Sequence, residues 1–332
     1  MSVKTHEYGI LGVGMYAPEG RMTNADLEKI VDTSDEWITS RTGIKERRVV
    51  AANQATSDMA VIAARRALDA AATKADEIDM IICCTFSPDV TVPCCGCVVQ
   101  EKLGIAGRCP AFDLNAACTG FTYGLSIATA FLRAGVYKRV LVIGADTVTR
   151  SIDYRDRGTC VLFGDGAGAA VLGYSGPGRG FVSDFLSADG SLGETLVIHD
   201  SGSKRRTEGE KEQWPFGIFM NGSEVFKFAT RALGNATQAA LEAAGQGLTI
   251  NDLDLLFPHQ ANLRIIEAAA KRIDLPMEKV FVNIHKYGNT SAASIPIALS
   301  EAVEEGRLKP GQLIGLVAFG GGLTYGSSIW VW

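Results

Sequence analysis

Two stretches of the sequence repeat the same order of elements, and this repeat constrains the fold more than any other feature. In each stretch, solid apolar runs typical of buried strands alternate with helical periodicity, in the order strand, helix, strand, helix, strand. This alternation predicts parallel sheets that are covered by helices on both faces. The first stretch comprises IDMIICCTF (78–86), VPCCGCVVQEKLG (92–104), AFDLNAA (111–117), CTGFTYGLSIATAFLRAG (118–135) and RVLVIGAD (139–146); the second comprises LDLLFPHQ (253–260), NLRIIEAAAKRID (262–274), VFVNIH (280–285), NTSAASIPIALSEAVEEG (289–306) and QLIGLVAFG (312–320).

The repeat predicts a duplicated α/β chain with two pseudo-symmetric halves. We assign residues 1–175 to the first half and 223–332 to the second, with an excursion between them at 176–222. The excursion carries Gly-rich turns and the charged run KRRTEGEKE (204–212), which favours a solvated segment. A functional lid is the alternative interpretation.

Three polar side chains fall at predicted strand ends. Cys118 and Asn289 precede the second helix of their respective halves, and His259 precedes the first helix of the second half. Ligands of open α/β sheets bind at the carboxyl ends of the strands. We therefore expect these three side chains to converge if the halves pack around a pseudo-twofold axis.

The composition argues against several classes of protein. A chain of 332 residues with 47% hydrophobic and 21% charged residues is typical of a soluble globular enzyme. The net charge of −5 argues against a nucleic-acid-binding protein. We expect no membrane association and no targeting segment, because no apolar run reaches about 18 residues and the first residues lack a basic, then apolar pattern. The eight cysteines indicate reduced thiols and a cytoplasmic protein.

Two glycine-rich segments resemble nucleotide-binding motifs without completing them. Gly12, Gly14 and Ala17 match a dinucleotide fingerprint, but PEG (18–20) separates them from the next predicted helix. The fingerprint needs a helix N-terminus directly at the pyrophosphate, so nicotinamide binding is disfavoured. The second segment, FGDGAGAAVLG (163–173), lacks the GK[ST] ending of a phosphate loop and favours close strand packing.

The cysteine cluster PCCGC contains a C-x-x-C pair, Cys94 and Cys97. A structural zinc site needs four ligands, usually from two such pairs, and the sequence has no second pair. We therefore predict that these residues are small packing side chains on a buried helix, and that the chain has no metal site. The same interpretation covers every cysteine except Cys118.

Cys118 differs from the other cysteines in its predicted surroundings. It lies at a strand–helix junction, where unpaired amide groups and the helix dipole are expected to stabilise a thiolate. Its neighbours are small, which leaves room for a substrate beside the sulfur. These features leave a catalytic and a structural role equally open.

Cys118, His259 and Asn289 together admit two kinds of chemistry. In a papain-like hydrolase, the Asn would orient the His. In carbon–carbon bond formation, His and Asn would both donate hydrogen bonds to a thioester oxygen and stabilise an enolate. The glycines of FGGGLTYG (319–326) offer backbone N–H groups for a second oxyanion site. The duplicated plan differs from the papain fold and favours the second chemistry.

Long motifs in the same order over nearly the whole chain resemble condensing enzymes of the thiolase superfamily, within it the β-ketoacyl-acyl-carrier-protein synthase III family. The resemblance implies a duplicated thiolase-like α-β-α-β-α fold. The motifs are TNADLEKIVDTSDEWITSRTGIKERR (23–48), PAFDLNAACTGFTYGLS (110–126), DRGTCVLFGDGAGAAVL (156–172), PHQANLRII (258–266), YGNTSAASIPIAL (287–299) and AFGGGLTYGS (318–327).

The resemblance implies a mechanism in which Cys118 takes an acyl group from acyl-CoA as a thioester. The backbone N–H groups of Cys118 and Gly321 would hold the oxyanion. Malonyl-acyl-carrier protein would then bind, and His259 and Asn289 would hydrogen-bond its thioester carbonyl while carbon dioxide leaves. The resulting enolate would attack the acyl-Cys118 thioester, which starts a fatty acid chain without a metal or redox cofactor. A homodimer is also implied.

The resemblance further implies binding residues. The CoA and pantetheine contacts are Trp37, Arg41, Arg157, Gly222, Phe226 and Asn262. From the residues alone, Trp37 would be interpreted as core and the two arginines as solvated. A basic patch for the acidic carrier protein would comprise Lys227, Arg264, Lys271 and Arg272, with an ordinary solvated helix face as the alternative.

Two positions depart from the pattern of the family. Ser223 stands where many relatives carry Asn, which alters an expected pantetheine contact. Val92 stands where acetyl-specific enzymes carry a Phe that closes the acyl pocket across the dimer, so a longer or branched primer is expected to fit. Three alternatives stay open beside chain initiation: a related secondary-metabolite condensing enzyme or acyltransferase, a non-catalytic acyl-CoA-binding homologue, and a thiol hydrolase.

Overall fold

Two mixed sheets form the framework of the fold. The computed structural model describes residues 3–199, 201–213 and 217–332. Its strands are β1 (Tyr8–Tyr16), β2 (Gly20–Thr23), β3 (Glu46–Val49), β4 (Met80–Cys84), β5 (Ala111–Leu114), β6 (Arg139–Asp146), β7 (Gly166–Tyr174), β8 (Gly180–Ala188), β9 (Leu196–Ile198), β10 (Ile218–Met220), β11 (Leu255–Pro258), β12 (Leu313–Gly320) and β13 (Thr324–Val331).

Helices of very different length connect these strands. They are α1 (Asn24–Leu27), α2 (Asp35–Thr42), α3 (Thr56–Ala70), α4 (Cys95–Lys102), α5 (Gly120–Arg133), α6 (Arg157–Cys160), α7 (Glu208–Gln213), α8 (Gly222–Ala243), α9 (Leu263–Arg272), α10 (Ile284–Tyr287) and α11 (Ser294–Glu304).

The two large sheets have matching strand orders. The first has the order β1-β7-β6-β4-β5 and the second the order β8-β13-β12-β11. In the first sheet, β5, β4 and β6 are parallel and the other pairs are antiparallel. In the second, β11 and β12 are parallel and the remaining pairs antiparallel. The duplication predicted from the sequence is therefore present, but the prediction of parallel sheets is wrong for the strands that return at one edge of each sheet.

Helices and sheets stack in five layers. The apolar helices α5 and α11 lie between the two sheets, and their fully buried Leu125 and Ala298 belong to one core with side chains from both sheets. Helices α3 and α4 cover the outer face of the first sheet, and α8 and α9 cover that of the second. This is the α-β-α-β-α fold that the resemblance implies.

The segment predicted as an excursion, 176–222, contains a strand of the second sheet. Strand β8 pairs with β13 along its length, from Gly180 opposite Val331 to Ala188 opposite Thr324. It occupies the position that β1 has in the first sheet. Its first four residues are buried in the sheet, and the four that follow are half-buried. The second structural repeat thus starts near residue 180 and not at 223, while residues 200 and 214–216 of the excursion lie outside the described part of the chain.

The predicted strand VFVNIH (280–285) is absent from the second sheet. Val280 forms a single bridge to Leu256, and α10 begins four residues later. The side chain of Gln260 replaces a strand partner, because its Oε1 accepts hydrogen bonds from the backbone N–H groups of Asn283 (3.0 Å) and Ile284 (3.2 Å). An apolar run of this length therefore follows the sheet edge without joining it.

Both glycine-rich segments serve close packing. A Cβ atom on Gly14 would lie 2.6 Å from the carbonyl oxygen of Ala63 in α3, and one on Gly12 would lie 2.8 Å from that of Ala67. In β7, a Cβ on Gly168 would lie 2.6 Å from Pro296 of α11. The glycines let helix backbones approach the first sheet on both faces, which confirms the packing interpretation of 163–173.

The packing interpretation of the cysteines holds for only part of the set. Cys83 and Cys84 are fully buried in β4. Cys97, in contrast, is exposed, and its sulfur lies 3.3 Å from that of the half-buried Cys94. The prediction is therefore wrong for Cys97, because this residue lies on the side of α4 that faces the surface.

Within the described residues, no helix is long and apolar enough to cross a membrane.

Gly14→Ala should destabilise the protein strongly. The added methyl group meets the backbone of α3, which cannot move aside as a flexible side chain would. We expect the free energy of unfolding, measured by urea denaturation, to fall by about 1–3 kcal/mol. Gly190→Ala is the matched control, since a Cβ there has no atom within 4 Å. Equal stability of the two variants would show that the close approach of β1 to α3 is not needed.

Candidate active site

Cys118 lies at the junction predicted from the sequence, in a short 3-10 turn between β5 and α5. The turn spans Ala117–Thr119 and the regular helix begins at Gly120. Ala117 adopts a left-handed backbone conformation with φ of 47°, which is uncommon for a residue with a side chain. Thr119 fixes the turn by donating a hydrogen bond to the carbonyl oxygen of Thr324 (3.2 Å). The chain therefore presents Cys118 on a turn held by the C-terminal strand.

The glycines at the end of β12 lie against this turn. A Cβ atom on Gly320 would be 2.7 Å from the backbone nitrogen of Cys118, so a side chain cannot fit there. A Cβ on Gly321, the next residue, would be 3.5 Å from the Cβ of Ala117. The predicted pair of backbone donors, Cys118 and Gly321, thus belongs to two segments in direct contact.

His259 is buried at the carboxyl end of β11. Its backbone N–H donates to Val317 in β12 (2.7 Å), which holds it at the sheet edge. Its Nδ1 lies 2.6 Å from the hydroxyl oxygen of Ser294. That oxygen also accepts a hydrogen bond from the N–H of Gln260 (3.4 Å), so the hydroxyl proton is available to Nδ1. A neutral imidazole that accepts this proton at Nδ1 carries its own proton on Nε2, where it can act as a donor.

Burial sets the protonation states of both titratable groups at the site. It lowers the pKa of His259 to about 3, so the imidazole is neutral at physiological pH. It raises the pKa of Cys118 to about 12, and hydrogen bonding from Ser291 opposes this only in part. Burial therefore opposes the thiolate that the sequence predicts at this helix N-terminus.

Asn289 is fixed in the orientation that makes it a donor. Its Oδ1 accepts a hydrogen bond from the backbone N–H of Ser291 (2.9 Å), so its amide nitrogen is left to face a substrate. Its backbone is also held on both sides, donating to Leu162 (2.8 Å) and accepting from Gly164 (3.0 Å). The two side-chain donors predicted from the second half are therefore positioned by separate hydrogen bonds.

One cavity of about 200 Å³ joins the predicted catalytic and binding residues. Arg157 lies outside its lining but stacks on Trp37, with the guanidinium carbon 4.8 Å from the ring centroid. Asn262 bridges to the opposite wall by donating to the carbonyl oxygen of Arg41 (3.1 Å). The sequence-predicted residues that line the cavity are Cys118, His259, Asn289, Trp37, Arg41, Gly222, Phe226 and Asn262.

The other predicted residues lie outside this cavity. Val92 is 83% exposed on the loop before α4 and is not part of the lining. Lys227 and Arg264 flank the cavity residue Phe226: Lys227 is its neighbour in α8, and Arg264 lies over its ring at 6.0 Å. Lys271 and Arg272 form the last turn of α9, two turns beyond Arg264. All four basic residues are exposed.

Sequence reasoning missed several residues of the site. Ser294, which orients His259, was treated only as part of a helix. Leu196 and Met220 belong to the antiparallel pair β9 and β10 and line the cavity, although both fall within the predicted excursion. Two short apolar runs contain these residues and could have indicated a pair of strands: TLVI (195–198) and IFM (218–220). The charged run between them favoured a solvated segment instead.

The duplicated five-layer fold, with Cys, His and Asn side chains converging from both halves, defines a condensing enzyme of the thiolase superfamily. Two family models match the chain. Residues 112–190 match 3-oxoacyl-[acyl-carrier-protein] synthase III, and residues 241–332 match the C-terminal region of the same family.

Known proteins match this chain over nearly its full length. The chain is 53% identical over 325 residues to a β-ketoacyl-[acyl-carrier-protein] synthase III of Caldanaerobacter subterraneus subsp. tengcongensis, covering 98% of this chain and 97% of that protein. The crystal structure of 3-oxoacyl-[acyl-carrier-protein] synthase III from Aquifex aeolicus matches with a TM-score of 0.91, 47% identity and coverage of 98% and 100%. The priming β-ketosynthase of the R1128 polyketide pathway matches with a TM-score of 0.89, 34% identity and coverage of 99% and 97%. The chain belongs to the β-ketoacyl-acyl-carrier-protein synthase III family, whose members are acyltransferase-type condensing enzymes.

His259→Gln should reduce the acid sensitivity of the fold. The pKa of His259 is about 3 when folded and 6.5 in its ordinary state, so between these values the unfolded chain binds the extra proton. Wild-type stability therefore falls as the pH drops from 6.5 towards 3, with a contribution approaching 1.4 kcal/mol per pH unit. The glutamine variant lacks this contribution.

The measurement is the difference in free energy of unfolding between wild type and variant from pH 7 to pH 4.5. Burial raises the pKa of the Asp146 carboxyl group to about 6, so this group stabilises the folded protein as the pH falls below 6. The effect is the same in both proteins and cancels in the difference. Parallel stability curves would contradict a neutral buried His259.

Proposed function

We propose that this chain condenses an acyl-CoA primer with malonyl-acyl-carrier protein to give 3-ketoacyl-acyl-carrier protein, through an acyl-Cys118 intermediate, and so initiates fatty acid biosynthesis. The observation that carries the proposal is the convergence of one nucleophile and two neutral donors in a single cavity. Cys118 comes from the first half, and His259 and Asn289 come from the second.

In the first step, the Cys118 sulfur attacks the acyl-CoA thioester carbon and the CoA thiolate leaves. The carbonyl oxygen becomes an oxyanion, which the backbone N–H groups of Cys118 and Gly321 stabilise. Glycine at position 320 permits this arrangement, because a side chain there would separate the two segments. The acyl-Cys118 bond is again a thioester, so the acyl group stays activated for the second step.

In the second step, malonyl-acyl-carrier protein replaces CoA and loses carbon dioxide. The electrons of the broken carbon–carbon bond move onto the thioester carbonyl oxygen, where Nε2–H of His259 and the amide of Asn289 donate hydrogen bonds. A neutral imidazole suits this role, since burial lowers its pKa to about 3 and it does not compete by protonating the carboxylate that must leave as carbon dioxide. The enolate carbon then attacks acyl-Cys118 and releases the sulfur.

The cavity entrance has the chemistry that CoA requires. The stacked pair of Trp37 and Arg157 offers a flat aromatic face and a planar cation for the adenine end. Arg41 adds a second exposed cation suited to phosphate. Gly222, Phe226 and Asn262 also line this mostly apolar cavity, and we assign them to pantetheine.

The exposed cations beside Phe226 support docking of an acidic carrier protein. Lys227 and Arg264 lie at the cavity mouth, where a carrier-bound pantetheine must enter. Lys271 and Arg272 extend the basic surface along α9. Glu224 pairs with Lys227 at 2.8 Å, so Arg264 is the stronger anchor of the patch.

The exposed edge of the first sheet supports a homodimer, and the free cysteines support a location in the cytoplasm. Strand β5 is short and forms an edge of the first sheet, with its residues only half-buried. The nearby Val90 and Val92 expose 51% and 83% of their surfaces. A second copy at this edge would cover both, and Val92 would bound the acyl pocket of the partner, where its small side chain leaves room for a longer or branched primer. The free thiols of all eight cysteines suit a reducing compartment.

The similarity to the R1128 priming ketosynthase supports a second candidate, priming of a secondary-metabolite pathway. The chemistry at Cys118 would be the same, and the primer and the carrier protein would differ. Comparing a panel of acyl-CoA primers, and malonyl-acyl-carrier protein with malonyl-CoA as extender, separates the two candidates.

Incubation with labelled acyl-CoA should give one acyl adduct per chain on Cys118, detected by intact-mass and peptide mass spectrometry. Cys118→Ala removes the nucleophile and should abolish the adduct. Trp37→Ala should slow adduct formation at limiting acyl-CoA by about tenfold, which corresponds to the loss of one stacking contact.

Arg155→Ala is the matched control for the entrance, because Arg155 is exposed nearby and pairs with Asp153. It should acylate at the wild-type rate. No adduct on the wild type, or an adduct that persists in Cys118→Ala, would refute the proposed nucleophile. Acylation followed only by release of free acid would indicate a thiol hydrolase, and CoA binding without any adduct would indicate a non-catalytic homologue.

A further inference from the structure

A buried arginine, Arg47 of β3, lies next to the segment that carries Asn289 and exposes only 1% of its surface. Within the described part of the chain, its guanidinium forms no ion pair and its Nε lacks a hydrogen-bond partner. The neighbouring Glu46 pairs with Arg21 and Arg48 instead (3.6 Å each). Burial lowers the pKa of the Arg47 guanidinium to about 10, so the group stays charged at neutral pH. A buried charge without a counter-ion costs stability unless its hydrogen bonds compensate for it.

The guanidinium of Arg47 donates to neutral oxygen atoms of two separate segments. Its Nη2 donates to the carbonyl oxygen of Val161 (2.6 Å), the residue that directly follows α6. Its Nη1 donates to the side-chain oxygen of Asn24 (2.9 Å) and to the carbonyl oxygen of Met22 (3.2 Å). Arg47 therefore joins β3 to the end of α6 on one side and to the start of α1 on the other.

The segment that begins at Val161 holds the backbone of Asn289. The N–H of Asn289 donates to the carbonyl oxygen of Leu162 (2.8 Å), and its own carbonyl oxygen accepts from the N–H of Gly164 (3.0 Å). Phe163, between these two partners, forms a parallel bridge with Asn289. The hydrogen bond from Arg47 to Val161 therefore ends one residue before the contacts that fix Asn289.

The aliphatic part of Arg47 packs on both sides of this contact. A Cβ atom on Gly164 would lie 3.0 Å from the Cβ of Arg47, and one on Gly288 would lie 3.2 Å from it. Gly288 directly precedes Asn289, and its φ of 67° is a conformation that favours glycine. The Arg47 side chain thus touches the segment 161–164 and the turn that leads into Asn289.

The direction of the Asn289 amide depends on the position of this turn. Its Oδ1 accepts from the N–H of Ser291, two residues further on, so this hydrogen bond moves with the turn. A donor that stabilises an oxyanion must lie within about 2.7–3.1 Å of the oxygen, and a small displacement of the donor costs rate. The contacts that hold the turn are therefore needed to aim the amide.

We infer that Arg47 is a positioning residue for decarboxylation: it holds the segment 161–164 against Asn289 and so fixes the amide that donates to the malonyl thioester oxygen. The inference rests on the proposed function. Arg47 acts through Asn289 and makes no contact with the reacting atoms.

The acylation step does not depend on the contact between Arg47 and Val161. Cys118 lies on a separate turn, which Thr119 ties to the C-terminal strand. The entrance helix α2 has its own anchor, because the Asn24 amide donates to Asp35 at its start (2.7 Å) and to the carbonyl oxygen of Ile44 just after its end (2.8 Å). Loss of the Arg47 guanidinium should therefore slow decarboxylation and leave acyl transfer nearly intact.

The first test is amide hydrogen exchange of the protein without substrate, which is independent of the proposed reaction. Arg47→Ala should accelerate exchange of the Gly164 and Asn289 amides about 10- to 100-fold, because the segments they join open more often. Arg47→Met, which fills similar space without donors, should do the same. Amides between β12 and β13 should exchange as in the wild type.

Arg66→Ala is the matched control for this test. Its guanidinium also donates to a backbone carbonyl oxygen, that of Met15 (2.7 Å), but it belongs to α3 on the outer face of the first sheet. It should leave both amides at their wild-type rates. Wild-type exchange of both amides in the two Arg47 variants would overturn the inference.

The second test measures the two half-reactions at saturating substrate. Both Arg47 variants should release carbon dioxide from labelled malonyl-acyl-carrier protein about tenfold more slowly than the wild type and acylate Cys118 at close to its rate. Added guanidinium ion should restore part of the carbon dioxide release in Arg47→Ala and none in Asn289→Ala.

The outcomes of the second test separate the inference from the proposed function. Equal slowing of both half-reactions, or undiminished carbon dioxide release in the Arg47 variants while Asn289→Ala is slow, would overturn the inference. Undiminished release in Asn289→Ala would refute the proposed role of Asn289 in decarboxylation, and with it a role of Arg47 in that step, whatever the exchange rates.

Discussion

The site depends on close backbone contacts between a turn of each half and a strand of the other half, at the carboxyl ends of the two sheets. Gly144 of β6 lies directly against the backbone of Ala292, where a Cβ atom would overlap the carbonyl group. On the other side, Gly320 of β12 lies against the amide of Cys118. These two contacts require glycine, and they bring the nucleophile of one half beside the donors of the other. The duplicated fold therefore does more than provide a core: it forms the cavity from two equivalent sheet ends.

The chemistry at this junction uses hydrogen bonds between neutral groups. Burial keeps His259 neutral, and the Asn289 amide carries no charge. Partners in one short segment orient both side chains: the Ser294 hydroxyl contacts the imidazole, and the N–H of Ser291 donates to the amide oxygen. Such donors are fixed before substrate binds, so little reorganisation is needed when negative charge develops on a thioester oxygen. The cations Arg41, Arg157, Lys227 and Arg264 lie at or beside the cavity entrance instead, where we propose that CoA and the carrier protein bind.

Much of this site was predictable from the sequence, and the failures have physical causes. The repeat predicted the duplication, and the strand ends carrying Cys118, His259 and Asn289 converge as expected. The sequence does not reveal β8, because this strand follows Gly-rich turns and its second part is only half-buried. It wrongly predicts a strand at VFVNIH (280–285), because Gln260 takes the place of a strand partner. The Trp37–Arg157 stack was found only through family resemblance, since composition does not report contacts between distant segments.

In the proposed mechanism, the first half supplies acyl transfer and the second half supplies decarboxylation. Measuring the two half-reactions separately in two variants tests this division. Cys118→Ala should still release carbon dioxide from labelled malonyl-acyl-carrier protein while forming no acyl-enzyme. Asn289→Ala should form the acyl-enzyme at close to the wild-type rate and release carbon dioxide at least about a hundredfold more slowly, in line with the loss of one oxyanion donor. Loss of both half-reactions in both correctly folded variants would contradict this division between the halves.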